Sequence, residues 1–157
     1  MSPRARRRRA PAIAAVLLTA VAWPAALHAA CTVSVQGGVS FGTYNVFAAA
    51  PLDTTGSISY RCDKADHDIR VTISRGASGT FRPRTLVNGT ERLEYNLFMD
   101  AARTQIWGDQ TEGTTCYFRH NPQNNRWIDL VIYARIPPGQ DAPAGSYTDT
   151  ITVDINF

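Results

Sequence analysis

The segment that most constrains this chain is its last thirteen residues, Gly145-Ser-Tyr-Thr-Asp-Thr-Ile-Thr-Val-Asp-Ile-Asn-Phe157. Tyr147, Ile151, Val153, Ile155 and Phe157 fall on one face of an extended chain, and Thr148, Thr150, Thr152, Asp154 and Asn156 on the other. That is the two-residue period of a half-buried strand. A strand this apolar belongs inside a sheet, with one face on a core. The sequence offers no later segment to pair with its free edge. The strand is therefore expected to close against an earlier strand, or to receive one from another molecule.

The rest of the chain reads as short β-rich runs separated by turn residues, with no sustained helical period. The runs are Cys31–Val35, Val39–Tyr44, Gly56–Cys62, Asp68–Ser74, Thr85–Val87, Glu91–Met99, Gln105–Trp107, Cys116–His120, Trp127–Ile136 and Ser146–Phe157. Many short strands at this spacing predict an all-β sandwich. Within Trp127–Ile136 the residues Ile128, Leu130, Ile132, Ala134 and Ile136 share one face, opposite Asp129, Tyr133 and Arg135. Asn88-Gly89 suits a tight type I′ hairpin, and Pro137-Pro138-Gly139 begins a longer connection into the final strand. No repeat or linker argues for a second domain.

The N-terminus reads as a secretory signal over residues 1–30, with cleavage between 22 and 30. Arg4 and Arg6 to Arg9 supply the positive region, and Ile13–Val21 an apolar core too short to anchor in a bilayer. A lipoprotein signal is disfavoured, because His28 stands where an aliphatic residue is preferred. Five of the 16 basic residues lie in the leader, which leaves 11 against 13 acidic ones. Residues 31–157, the expected mature domain, thus carry a formal charge of −2, with no basic patch to bind nucleic acid and no transmembrane segment.

An exported chain keeps its disulfides, and here there are three cysteines, an odd number. Cys31 opens the first strand and Cys62 closes a later one, so a bridge between them would tie neighbouring strands. Cys116 is expected to be a small buried residue.

With these features placed, the chain resembles the spore coat protein U domain family, which includes subunits of archaic, Csu-type chaperone–usher pili. The resemblance rests on Cys31-Thr-Val-Ser, Phe41-Gly-Thr-Tyr44, Gly56-Ser-Ile-Ser-Tyr-Arg-Cys62, Leu93-Glu-Tyr-Asn-Leu-Phe-Met-Asp100, Trp107-Gly-Asp109, Tyr133-Ala-Arg-Ile-Pro137 and Gly145-Ser-Tyr-Thr-Asp-Thr150. It implies an immunoglobulin-like sandwich lacking its final strand, with a groove lined by Ile151, Val153, Ile155 and Phe157. It also implies partners: a periplasmic chaperone that lends a strand, an outer-membrane usher, and other subunits that replace that strand during assembly at the cell surface. A donating subunit needs an alternating apolar segment ahead of its first strand. Trp23–Ala30 is Ala-rich and does not alternate, which points to a terminal or accessory subunit.

Catalytic chemistry finds little support. Past the leader only His67 and His120 remain, neither in a hydrolase or metalloprotease motif. His67 reads as part of a charged hairpin loop. Cys116 and His120 are too far apart along a strand to share a metal unaided. Asp100, Asp109 and Asp129 occur singly beside turns, so no acid/base pair is expected. The chain is read as a non-enzyme without cofactor. Asn88-Gly-Thr90 matches a glycosylation sequon already explained by the turn. Trp107 and Trp127 motivate one rival, a self-complete secreted carbohydrate-binding sandwich with aromatic stacking platforms.

Overall fold

A computed structural model describes residues 31–63 and 68–157. The expected signal segment, its cleavage site and His67 lie outside the described residues. Among the described residues eight strands form: β1 Cys31–Val35, β2 Leu52–Cys62, β3 Ile69–Ile73, β4 Arg84–Asn88, β5 Glu91–Phe98, β6 Tyr117–Arg119, β7 Ile128–Ile136 and β8 Val153–Asn156. They build a five-stranded sheet in the order β1-β2-β7-β5-β4 and a three-stranded sheet in the order β6-β3-β8. Every strand pairing is antiparallel.

Alternation decides which face each strand buries. In β7 the even-numbered positions turn inward, and Ile132, Ala134 and Ile136 are buried against Ile58 and Tyr60 of β2 and Leu93, Tyr95 and Leu97 of β5. The small sheet supplies Ile69, Val71 and Ile73 to the same core. Each large aliphatic side chain removed from water contributes about 1.5–3 kcal/mol, so this two-layer core is what holds the sheets face to face.

Two polar groups are fully absorbed into it. Arg84 has no exposed surface, yet its guanidinium donates to Ser74 O (2.9 and 3.0 Å), Trp107 O (2.7 Å) and Asn96 Oδ1 (2.8 Å) and stacks on Phe81. Burial pushes its pKa down to about 10, so it stays charged at neutral pH. Trp107 is 1% exposed and donates its indole N–H to Val71 O at 2.9 Å.

Cys31 and Cys62 are disulfide-bonded and sit opposite each other in the β1–β2 register. Cys116 is an unpaired, buried thiol whose pKa is raised by desolvation.

Four expected features take a different form. Val39–Tyr44 is not a strand, because Gly37, Gly38 and Gly42 adopt φ of +68° to +71°, which breaks the extended path. Gln105–Trp107 makes only isolated bridges, to Phe98 and Thr115. The β4–β5 turn is centred on Gly89-Thr90, since Asn88 pairs with Glu91, and positive φ falls on Gly89 alone. That is the pattern of a type II′ turn.

The fourth is the final run, whose ladder with β3 begins only at Val153. Upstream, Thr148 exchanges two backbone hydrogen bonds with Val87 on the edge of the five-stranded sheet (2.8 and 3.1 Å). The segment thus crosses from one sheet to the other before it settles as β8.

Candidate functional site

β8 is an edge strand. Among the described residues it pairs with β3 alone, so its other side presents backbone donors and acceptors without ladder partners, a template for an added strand. Beside it opens a groove of about 990 Å³. Its floor is the inner face of the large sheet: Ile58, Leu93, Tyr95, Leu97, Ile132 and Ile136. One side is formed by Ile151 and Val153 together with the preceding connection from Ala142. The other is formed by Val35 and the irregular segment Gly38–Tyr44.

That irregular segment reaches the groove because of small residues and side-chain tethers. An added Cβ on Gly56 would lie 2.8 Å from Gly38 O, so only glycine there lets the segment lie flat on β2. Thr54 Oγ1 donates to Ser40 O (3.0 Å), the Tyr44 hydroxyl to Pro137 O (3.1 Å), and the Gln140 amide to the Tyr44 hydroxyl (3.0 Å). Phe41 packs edge-on against Tyr95, with centroids 5.9 Å apart. Nearby, the Gln140 side chain binds both backbone groups of Glu94 (2.7 and 2.9 Å), occupying an edge of β5 that β7 does not reach.

On the opposite side, Tyr147 donates its hydroxyl to Pro143 O at 3.0 Å, an arrangement resembling the tyrosine corner of immunoglobulin-like sandwiches. Asp149 accepts from the Tyr95 hydroxyl (2.7 Å), the Ala77 amide (2.8 Å) and the Thr150 amide (2.7 Å). Burial and that bond to Asp149 push the Tyr95 pKa up, so the phenol stays protonated and donating at all ordinary pH.

Of the four groove positions expected from the sequence, Ile151 and Val153 line the groove. Ile155 continues the same half-buried face, opposite Val71 in the register. Phe157 lies past the end of β8 and is 52% exposed. Missing from the expectation were Val39, Phe41, Tyr44 and Tyr147. Their signal was present in the runs Phe41-Gly-Thr-Tyr44 and Gly145-Ser-Tyr-Thr-Asp-Thr150, but nothing local said that these two runs face one groove.

The residues weighed for catalysis are spread apart. Asp100 accepts from the Thr104 and Gln105 amides, Asp109 from the Thr111 amide and Asp129 from the Ser59 hydroxyl. His120 contacts Asp68 at the surface, and no group of three His, Cys, Asp or Glu among the described residues could hold a metal ion. Trp107, being buried, offers no stacking platform. Trp127 is exposed with the Arg61 guanidinium over its ring. No helix among the described residues is long and apolar enough to cross a membrane.

Two antiparallel sheets, a cross-strand disulfide and a groove beside an edge strand define an immunoglobulin-like sandwich. A family model of the Spore Coat Protein U domain matches residues 15–154, and the chain belongs to that family. Protein U of Myxococcus xanthus is 30% identical over 163 residues, covering 94% of this chain and 88% of that relative. Among solved structures, a chain of the CsuC–CsuE chaperone–tip adhesion subunit pre-assembly complex, from archaic chaperone–usher Csu pili of Acinetobacter baumannii, shares the fold. Its TM-score is 0.55 at 23% identity, over 82% of this chain and 40% of that one. The chain therefore spans less than half the length of that structural neighbour.

Proposed function

We propose that this protein is an exported, non-enzymatic structural subunit of a chaperone–usher pilus or surface coat, and that it is completed by a strand from a partner. The observation that carries this is the apolar groove running beside the unpaired edge of β8. Membership of the spore coat protein U family and the fold shared with a chaperone–subunit complex support it. An incoming strand that buries four apolar side chains in the groove gains about 6–12 kcal/mol from area alone, before the cost of ordering it is subtracted. On this reading a periplasmic chaperone fills the groove in transit, and another subunit replaces it at the outer-membrane usher. The leader over residues 1–30 directs export, and residues 31–157 form the working domain. The composition of Trp23–Ala30 favours a terminal or accessory place that receives a strand rather than donating one. Sequencing the N-terminus of the exported protein tests that point, since an alternating segment retained ahead of Cys31 reverses it.

The main test compares residues 31–157 with and without an alternating Val/Ser peptide of about ten residues fused after Phe157 through a flexible linker. The fused chain is expected to unfold at higher urea concentration and to stay monomeric. Equal stability of the two forms counts against strand completion.

A further inference from the structure

An apolar groove open to water tends to close, because its own walls can bury their exposed surface on its floor. Tyr147 and Ile151 are only half-buried above that floor. They touch the core yet leave the groove open, so something must keep the connection that carries them, residues 142–152, from closing further over the floor. Its C-terminal half is pinned at two points by backbone bonds, Thr148 with Val87, and Thr152 O accepting from the Ser74 amide at 3.0 Å. Between these points Ile151 packs on the core, and the side chain that hydrogen-bonds to other elements is that of Asp149. One carboxylate oxygen takes the Ala77 amide of the single turn Gly76–Ser78, and the other takes the phenol of Tyr95 on the groove floor.

The seat for this carboxylate is built into the neighbouring turn. Gly76 has φ +68°, and a Cβ there would lie 2.1 Å from Asp149 Oδ2. No side chain other than hydrogen fits beside it. Three elements that are distant in sequence thus meet on one acidic group, and that group faces the groove rather than an ion pair.

We infer that Asp149 is a positioning residue for strand uptake: it holds the groove wall in the receptive position before the partner strand arrives. The inference rests on the strand-completion reading above. Without the carboxylate, the wall relaxes toward the floor and only a fraction of molecules can accept a strand. Once the groove is filled, the bound strand itself supports the wall, so the loaded state depends little on Asp149.

The test uses a free peptide of about twelve residues alternating valine or isoleucine with serine or threonine. Association and dissociation rates are measured on residues 31–157, together with the melting temperature of the loaded form. Asp149→Ala is expected to slow association by about tenfold, as a receptive fraction near one tenth requires, with dissociation and loaded-state melting close to wild type. Asp149→Asn keeps the wild-type rate, because its amide can accept from Ala77 and Thr150 and donate to Tyr95. Tyr95→Phe, which keeps the ring against Phe41 and deletes one bond, slows association less than Asp149→Ala and decides the matter if the alanine variant does not fold. A wild-type association rate in Asp149→Ala, or in Tyr95→Phe where the alanine variant does not fold, overturns the inference. So does a slowing matched by equal loss of stability in the loaded form, the mark of a merely structural role. A wild-type chain that takes up no peptide overturns the strand-completion reading, and this inference with it.

Discussion

Glu112 sits at φ +51° in the loop that follows Trp107, and its carboxylate gathers donors from a distant loop. It accepts from the Phe81 amide (3.0 Å), Arg75 Nε (2.9 Å) and the Thr80 hydroxyl (2.9 Å), while its carbonyl takes Arg82 Nε (2.8 Å). The Phe81 amide, then Arg75 and Thr80, hold its pKa below the usual carboxylate range. A group whose folded pKa is depressed stabilises the fold fully above its unfolded value, about 4.3 for Glu, and that stability is lost as pH falls through the folded value. Glu112→Gln is therefore expected to flatten the decline of the urea midpoint between about pH 5 and pH 3. Parallel declines in the two proteins would remove Glu112 from the acid response. Nothing in the sequence singles out Glu112, since its donors lie 30 to 37 positions away. The same holds for Arg84, which is buried in a strand where alternation alone would place any residue type.

The elements were legible where a single strand buries one face, and less so where the chain passes between sheets. Trp127–Ile136 alternates cleanly and forms β7 on the expected face. Val39–Tyr44 has the composition of a strand, but three left-handed glycines and side-chain tethers make it a groove wall instead. Propensity there yields to backbone geometry. Gly56, in the middle of β2, is the hinge of that outcome, because its missing side chain admits Gly38 and Val39 at 2.8 Å. Gly56→Ala is expected to lower stability by about 1–3 kcal/mol, read from urea unfolding. It should also raise amide exchange at residues 38–44 with little change in β7. Protection unchanged along 38–44 would show that the segment does not depend on this contact.

At the scale of the whole molecule, the disulfide closes a loop of 31 residues between an edge strand and its neighbour. Chain entropy assigns such a link about 3–4 kcal/mol, so Cys31→Ser with Cys62→Ser should lower the unfolding free energy by that amount. The loss should also loosen β1, whose other end, Val35, borders the groove. A double variant as stable as the wild type would mean that pairing with β2 alone secures β1. The all-β class, the strands that alternate, the cysteine pair and the apolar face of the last segment were all readable in order along the chain, because hydrophobic period and turn residues are local properties. The groove was expected only through the family resemblance, and its floor and the wall from Val35 to Tyr44 were not, nor were the crossing of residues 148–152 between sheets and the meeting of Tyr95, Gly76 and Asp149. These depend on which distant residues come to lie within a few ångströms of each other, and that is set by how two twisted sheets pack, not by any pattern within one segment.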